Sequence, residues 1–456
     1  QNKTNYDTGF CRIAASASID SVVLNRNKSK SCRGFLIAGA LTDDFNPDIT
    51  ITIKSLLATG NSFDKVMLPI NLNCIVIDSK ITGGNEFRNV IGASRTVSAV
   101  RLFVDGESHL SPAYDLLQNC VITGNVFNTI INRTTTGDSS PGNNYESHAV
   151  QISVNNVVVS DNVIANVTGT NSDCEAIYLK AKRYKVSDNV MYNSGATEGA
   201  INCKGTTVDS VNGTPIGEPN SITGNVILFD NYSFLNDATV VTMDRIGINV
   251  AVPKNTLVAN NTIIGANESC INADGLPSDP NSGLSILSNK FIDFKGQNAC
   301  LFRGAFRNLS VDNNEMSNVT TDADSVRMLF FSAVPGRGIS NNNISITNNK
   351  LNLGDDLTNI TGSNQLSFVA FDGESYDYDG VYVNDNNIDI KHASASIRPI
   401  FFTRQTGSPT GSMTEFEAKR NVFKGTINAQ SEVIFWGDLF NPSTYDIDIE
   451  YIQDLI

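Results

Sequence analysis

Histidine and tryptophan are scarce, with 3 His and 1 Trp, and no Cys-x-x-Cys or paired His spacing occurs, so the usual donor sets of zinc sites are missing. The 8 Cys, at 11, 32, 74, 120, 174, 203, 270 and 300, stand singly. They read as mostly buried thiols, and no cofactor or metal is implied. No apolar run approaches the ~20 residues that cross a bilayer, so membrane insertion is not expected. Basic residues are in deficit, 33 Lys+Arg against 47 Asp+Glu for a net charge of −14, which disfavours nucleic acid and anionic lipid as partners. The first ten residues lack a basic segment followed by an apolar one, so no signal peptide is expected. Linker and low-complexity tracts are absent too. What remains is 40% hydrophobic residues over 456 positions, ample for a large core.

That apolar content is organised by one pattern: apolar, any, apolar, any, any, Asn, any, apolar. Clear copies are VVVSDNVI at 157–164, YKVSDNVM at 184–191, LSILSNKF at 284–291, LSVDNNEM at 309–316, ISITNNKL at 344–351 and VYVNDNNI at 381–388. With its Asn as marker, copies fall at Asn61, Asn125, Asn162, Asn189, Asn225, Asn261, Asn289, Asn314, Asn349, Asn386 and Asn421, and weaker ones at Asn27 and Asn85. Alternation of Val, Ile and Leu before the Asn indicates a strand with one buried face, and the pairs GN, DN and NN indicate a corner that accepts left-handed backbone. A second strand follows, as in AIYLK at 176–180, AINCK at 200–204, VVTMD at 240–244, CINAD at 270–274 and ACLFR at 299–303. Leucine-rich and helical repeats are excluded, since neither a leucine signature nor a 3.6-residue period is present.

The expected fold is therefore all-β, a parallel β-helix in which each coil of three short strands stacks on the last and the marker Asn form a bonded ladder at ~4.8 Å spacing. The markers give a single-stranded solenoid of about 12–13 coils. It reads as one elongated domain, a β-helix over 1–440 with a cap or last strand over 441–456.

Asn-cornered coils running from Asn27 to Asn421 resemble the right-handed parallel β-helix proteins of the pectate-lyase-like class, and more narrowly the bacteriophage tailspike depolymerases. The resemblance implies a homotrimer on the virion, as part of a phage tail, that recognises the host cell and cleaves its capsular or O-antigen polysaccharide with acidic residues. It also implies a join to the tail or baseplate through an N-terminal part missing from this sequence.

Alternation along the second strands predicts two outward columns. One holds Ser153, Lys180, Lys204, Asp244, Asp274 and Arg303, and the other Gln151, Tyr178, Asn202, Thr242 and Asn272. Long loops at 133–147 and 206–219 would wall this strip into a groove for a linear polymer. Glycoside hydrolysis needs two carboxyl groups flanking the scissile oxygen. Asp244 and Asp274, expected one coil apart, are the leading catalytic pair, with Glu268 and Glu198 at the opposite lip as substitutes. Arg303, Lys204 and Tyr178 would position sugars. The same charges also fit a solvated ladder of opposite signs.

His148 and Glu175, on neighbouring coils with Tyr145 and Glu146 close by, form a second constellation able to move a proton, or a plain surface pair. Lys180 and Lys204 would instead neutralise a uronate in a β-eliminating lyase, and a non-enzymatic adhesin that only binds glycan is a third reading. The acidic run of Asp372, Glu374, Asp377 and Asp379 reads as solvated coil. Farther on, the positions taken as outward turn apolar, at Met328, Phe330, Phe368, Ala370, Ile400, Phe402, Ile434 and Trp436. A stripe of that length predicts cover by further copies of the chain, consistent with a trimer, or else by the chain's own loops. Asn-x-Ser/Thr triplets at Asn132, Asn166, Asn231 and Asn318 follow from corner composition and give no case for glycosylation.

Overall fold

The computed structural model describes residues 9–13, 17–38, 48–92, 96–103, 119–133, 146–154, 156–169, 174–181, 183–195, 198–204, 219–230, 245–251, 253–275, 283–304, 306–319, 325–332, 339–353, 365–372, 376–390, 396–403, 413–425, 434–435 and 444–453. All regular structure among them is β, and every strand pairing is parallel between segments distant in sequence. The chain divides into two compact units, Gln1–Asn220 with Asn225–Arg245, and Ser221–Gly224 with Ile246–Ile456.

In the first unit, strands Gly9–Ile13, Gly34–Ala38, Leu68–Leu72, Thr96–Phe103, Glu146–Ser153, Cys174–Lys180 and Ile201–Lys204 pair in that order, each with the next. The second unit repeats the scheme through Ile246–Ala251, Ser269–Asp274, Asn298–Arg303, Ser325–Ser332, Gln365–Asp372, Ile400–Thr403 and Ile434–Phe435. There Thr444–Gln453 pairs with Glu415–Gly425. Strands that come in chain order and pair in parallel at intervals of a few dozen residues are the arrangement a parallel β-helix solenoid requires.

The marker asparagines hold the corners. In the first unit Asn27 Nδ2 donates to Asn61 Oδ1 at 2.9 Å, and the chain of amides continues through Asn85, Asn125, Asn162 and Asn189 to Asn225. The second unit has its own ladder through Asn261, Asn289, Asn314, Asn349, Asn386 and Asn421. Each Oδ1 also accepts the backbone N–H of the preceding marker, so one buried carbonyl satisfies two donors that a sharp corner would leave without partners. Asn85, weak as a sequence match, is fully buried in its ladder. The residue before each marker adopts the left-handed region, as at Asp161 (φ 56°), Asp188 (φ 58°), Asn313 (φ 54°) and Gly124 (φ 68°), which is why Gly, Asp and Asn recur there.

A second left-handed corner, not expected from the sequence, lies four residues after several markers, at Asn89, Thr129, Asn166, Asn193, Asp293 and Asn318. Asn166 and Asn318 thus have corner positions of their own.

Strict alternation breaks at one place in each coil of the long sheet. The register runs through Ser98, His148 and Glu175 and resumes at Val100, Val150 and Ile177, stepping over Ala99, Ala149 and Ala176, all fully buried. In the second unit the step falls at Cys270, Ala299, Met328 and Phe368, also fully buried. This corrects the expected apolar stripe. Met328 and Phe368 occupy the step and are packed inward, Ala370 and Ile400 are buried as well, and only Phe330 stays half-exposed, under the Arg327 guanidinium at 4.3 Å. The side chains of Phe402, Ile434 and Trp436 lie outside the described residues. The described part of the stripe is thus covered within the single chain and gives no support to a trimer.

The interior is filled by stacked rings, Phe63, Phe87 and Phe127 in the first unit and Phe302, Phe331 and Phe371 in the second, with centroids 4.7–5.2 Å apart. Six cysteines are buried, Cys32 is half-buried and Cys11 exposed, and all are free thiols. In the acidic run, Asp377 and Asp379 are exposed on strand Tyr376–Asn384 rather than in coil; the side chains of Asp372 and Glu374 lie outside the described residues.

Candidate active site

The step at Ala149 and Ala176 shapes the polar face of the first unit. Beyond it, Glu146, His148 and Glu175 turn to the side that Gln151, Tyr178 and Asn202 occupy, and the residues meet there. His148 is 1% exposed; its Nε2 lies 3.2 Å from Glu146 Oε2 and its Nδ1 3.1 Å from Glu175 Oε2. The first contact is a hydrogen bond, the second a close ion pair whose angle falls outside hydrogen-bond geometry. Asn202, fully buried, donates from Nδ2 to Glu175 Oε1 at 3.1 Å and to Glu198 Oε2 at 2.6 Å. Gln151 Nε2 donates to Glu146 Oε2 at 3.2 Å, while its own Oε1 accepts from Ser98 at 3.1 Å.

Three carboxylates are thereby drawn together around one imidazole and one amide. At the rim, Lys204 Nζ lies 2.7 Å from Glu198 Oε2 and 5.3 Å from the centre of the Tyr178 ring, and the His148 and Tyr178 rings are 5.5 Å apart between centroids.

These contacts set the charge states. Burial disfavours the His148 imidazolium, but the charges of Glu175 and Glu146 outweigh it and push its pKa up to about 9, so the ring is a fixed cation at neutral pH. For Glu146, burial would raise the pKa, yet the hydrogen bond and charge of His148, with Arg101 and Lys204 farther off, bring it below the ordinary carboxyl value. Glu146 is therefore an ionised carboxylate despite being only 18% exposed. Glu198 is 32% exposed and Glu175 2%, so solvent reaches Glu198 and Glu146 far better than Glu175.

Of the residues singled out in the sequence, the fold brings His148, Glu175, Tyr178, Asn202, Lys204 and Glu198 into this cluster, with Lys180 beside Lys204 on the neighbouring strand. Glu198 is not at the opposite lip. Its carboxylate lies against Lys204 at the end of the strand that follows it, with left-handed Gly199 (φ 109°) next to it in the chain.

In the second unit the register differs from the expected one. The neighbours of Asn272 and Asp274 on the preceding strand are Asn249 and Ala251, from Ile246–Ala251, not Thr242 and Asp244. Both segments alternate, and the later one supplies the rung; Thr242 and Asp244 lie outside the described residues. Asp274 takes two bonds from Arg303, at 2.6 and 2.8 Å, as in a charge ladder, and Glu268 is exposed just before the strand.

Ser98 and Arg101 had no functional place in the sequence reading, and Gln151 entered it only as part of the polar strip. Glu146 and His148, two apart and so on one side of a strand, were the available signal. Among the described residues no group of three or more His, Cys, Asp or Glu could hold a metal ion. No protein-family model, no curated protein and no solved structure matches the chain.

Proposed function

We propose that the chain is a tailspike-like depolymerase, a right-handed parallel β-helix that hydrolyses a bacterial capsular or O-antigen polysaccharide, with its active centre on the polar face of the first unit. The observation that carries this reading is the gathering of Glu146, Glu175 and Glu198 about His148 and Asn202, two of the carboxylates being partly exposed. Buried charge held by neighbouring strands costs stability and is typical of sites that do chemistry. In this scheme Glu146, kept ionised by His148, activates water or attacks the anomeric carbon, and Glu198, after taking up a proton from solvent, delivers it to the leaving oxygen. Glu175 and Asn202 hold the pair in place, and Tyr178 offers a ring for a sugar to stack on. A trimer on a phage tail belongs to the same reading and rests on the resemblance of the Asn-cornered coils.

The test is incubation with a panel of capsular and O-antigen polysaccharides, following reducing ends and ultraviolet absorbance together. Release of saturated oligosaccharides, abolished by Glu146→Gln and by Glu198→Gln, supports hydrolysis. Unsaturated products would transfer the site to a lyase using Lys180 and Lys204, and binding without cleavage would make the protein an adhesin.

A further inference from the structure

We infer that Gln151, aimed by the Ser98 hydroxyl, is the positioning residue of Glu146, and that it leaves Oε1 as the carboxylate oxygen that does the work. The inference rests on the reading of Glu146 as base or nucleophile and deepens it. Glu146 Oε2 lies 3.2 Å from Gln151 Nε2 and 3.2 Å from His148 Nε2. Both nitrogens donate, since the imidazole is charged and an ionised carboxylate can only accept. Two donors fill the lone pairs of that one oxygen, and no donor among the described residues reaches Oε1.

The Gln151 amide has one orientation that fits. Its NH2 must face the carboxylate, so its carbonyl faces away, and there it accepts the Ser98 hydroxyl at 3.1 Å. Ser98 and Gln151 are both fully buried, which leaves neither bond open to replacement by bulk water. The chain of bonds thus runs from a closed interior out to a carboxylate that is 18% exposed. Plain alternation would put Gln151 on the side opposite Glu146 and His148, and the step at Ala149 brings all three together. Only an amide serves at this place, because the end facing Glu146 must donate and the end facing Ser98 must accept.

The first test needs no glycan. With only 3 His in the chain, the ring signals of isotope-labelled histidine can be assigned by comparison with His148→Gln. Gln151→Met keeps the length of the side chain and loses its donor, so the Glu146 carboxylate can turn away from His148. The Nε2 proton should then exchange with water at least about tenfold faster than in the wild type. Ser98→Ala should speed exchange about fivefold, the worth of one hydrogen bond. Added to Gln151→Met it should change nothing further, because Ser98 acts only through the amide. Wild-type exchange in either single variant, or effects that multiply in the double one, would overturn the inference. Should Gln151→Met not fold, Ser98→Ala, which removes one oxygen, carries the test by itself.

The second test uses the polysaccharide that the wild type cleaves. Gln151→Met should lower kcat about ten- to hundredfold and hold KM within about twofold, as expected when a reacting group is misplaced. A loss confined to KM would make Gln151 an ordinary sugar contact and refute the positioning role while hydrolysis stands. Faster proton exchange in a protein that cleaves no glycan would keep Gln151 as the residue that holds Glu146 and sink the depolymerase reading instead.

Discussion

Because His148 is almost wholly buried between two carboxylates, its proton should be visible as stability. An unfolded histidine titrates at its ordinary 6.5, whereas in the fold the pKa rises to about 9. Between those values the native state holds a proton that the unfolded chain has released, so stability must fall as pH rises through this window. The contribution is fully present below 6.5 and gone above about 9; at 1.36 kcal/mol per unit it amounts to about 3 kcal/mol. Glu146 works the other way: its depressed pKa gives stability that is present above the ordinary carboxyl value and lost on acidification through the folded one. Urea unfolding, followed by a probe in the first unit at about pH 6 and about pH 10, should show the loss. His148→Gln should remove this pH dependence and, by leaving two inward carboxylates without their cation, cost about 3–5 kcal/mol at neutral pH. Parallel stability–pH curves for the wild type and His148→Gln would refute the placement of a charged imidazole between Glu146 and Glu175.

Other substitutions probe the scaffold. Asn289→Ala strips the acceptor used by the Asn261 amide and backbone N–H and the donor used by Val258 and Asn314, and should destabilise the second unit by about 3 kcal/mol in chemical denaturation. Asp188, exposed at φ 58°, should accept Gly without loss, whereas Asp188→Val should cost about 1–2 kcal/mol, read from the denaturation midpoint. Asp274→Asn breaks a half-exposed ion pair with Arg303 and should change stability by less than about 1 kcal/mol. Native-state titration with a thiol reagent should modify Cys11 first; Cys120, whose thiol burial pushes up to about 12, and Cys203 and Cys300, raised by burial as well, should react only on unfolding.

The corners were legible before any coordinates, because their cause is local. A left-handed residue followed by an amide that must bond its counterpart in the next coil restricts two adjacent positions to few residue types, and GN, DN and NN recur in consequence. The strands beside them were legible for a similar reason, since one buried face imposes a period of two. Adjacency of His148 with Glu175 also followed from counting along strands whose ends are fixed by such corners.

What counting could not supply was every departure from a straight strand. Ala149 and Ala176 step the chain so that Glu146 and His148 face the same way as Gln151, and in the second unit Met328 and Phe368 take such a step inward. Small or apolar residues at a step look like any others in an alternating run. Choosing Ile246–Ala251 rather than 240–244 as the neighbour of Ser269–Asp274 likewise depends on which of two alternating segments packs, a comparison made between coils and not along one. The meeting of Glu198 with Lys204 joins a residue ahead of the strand to the strand's last position, a contact that alternation does not encode. Sequence alone thus determined the repeating unit, because its constraints act within a few residues; the meeting of carboxylates, imidazole and lysine was decided only in three dimensions, where side-chain direction depends on bends and turns that carry no periodic signature.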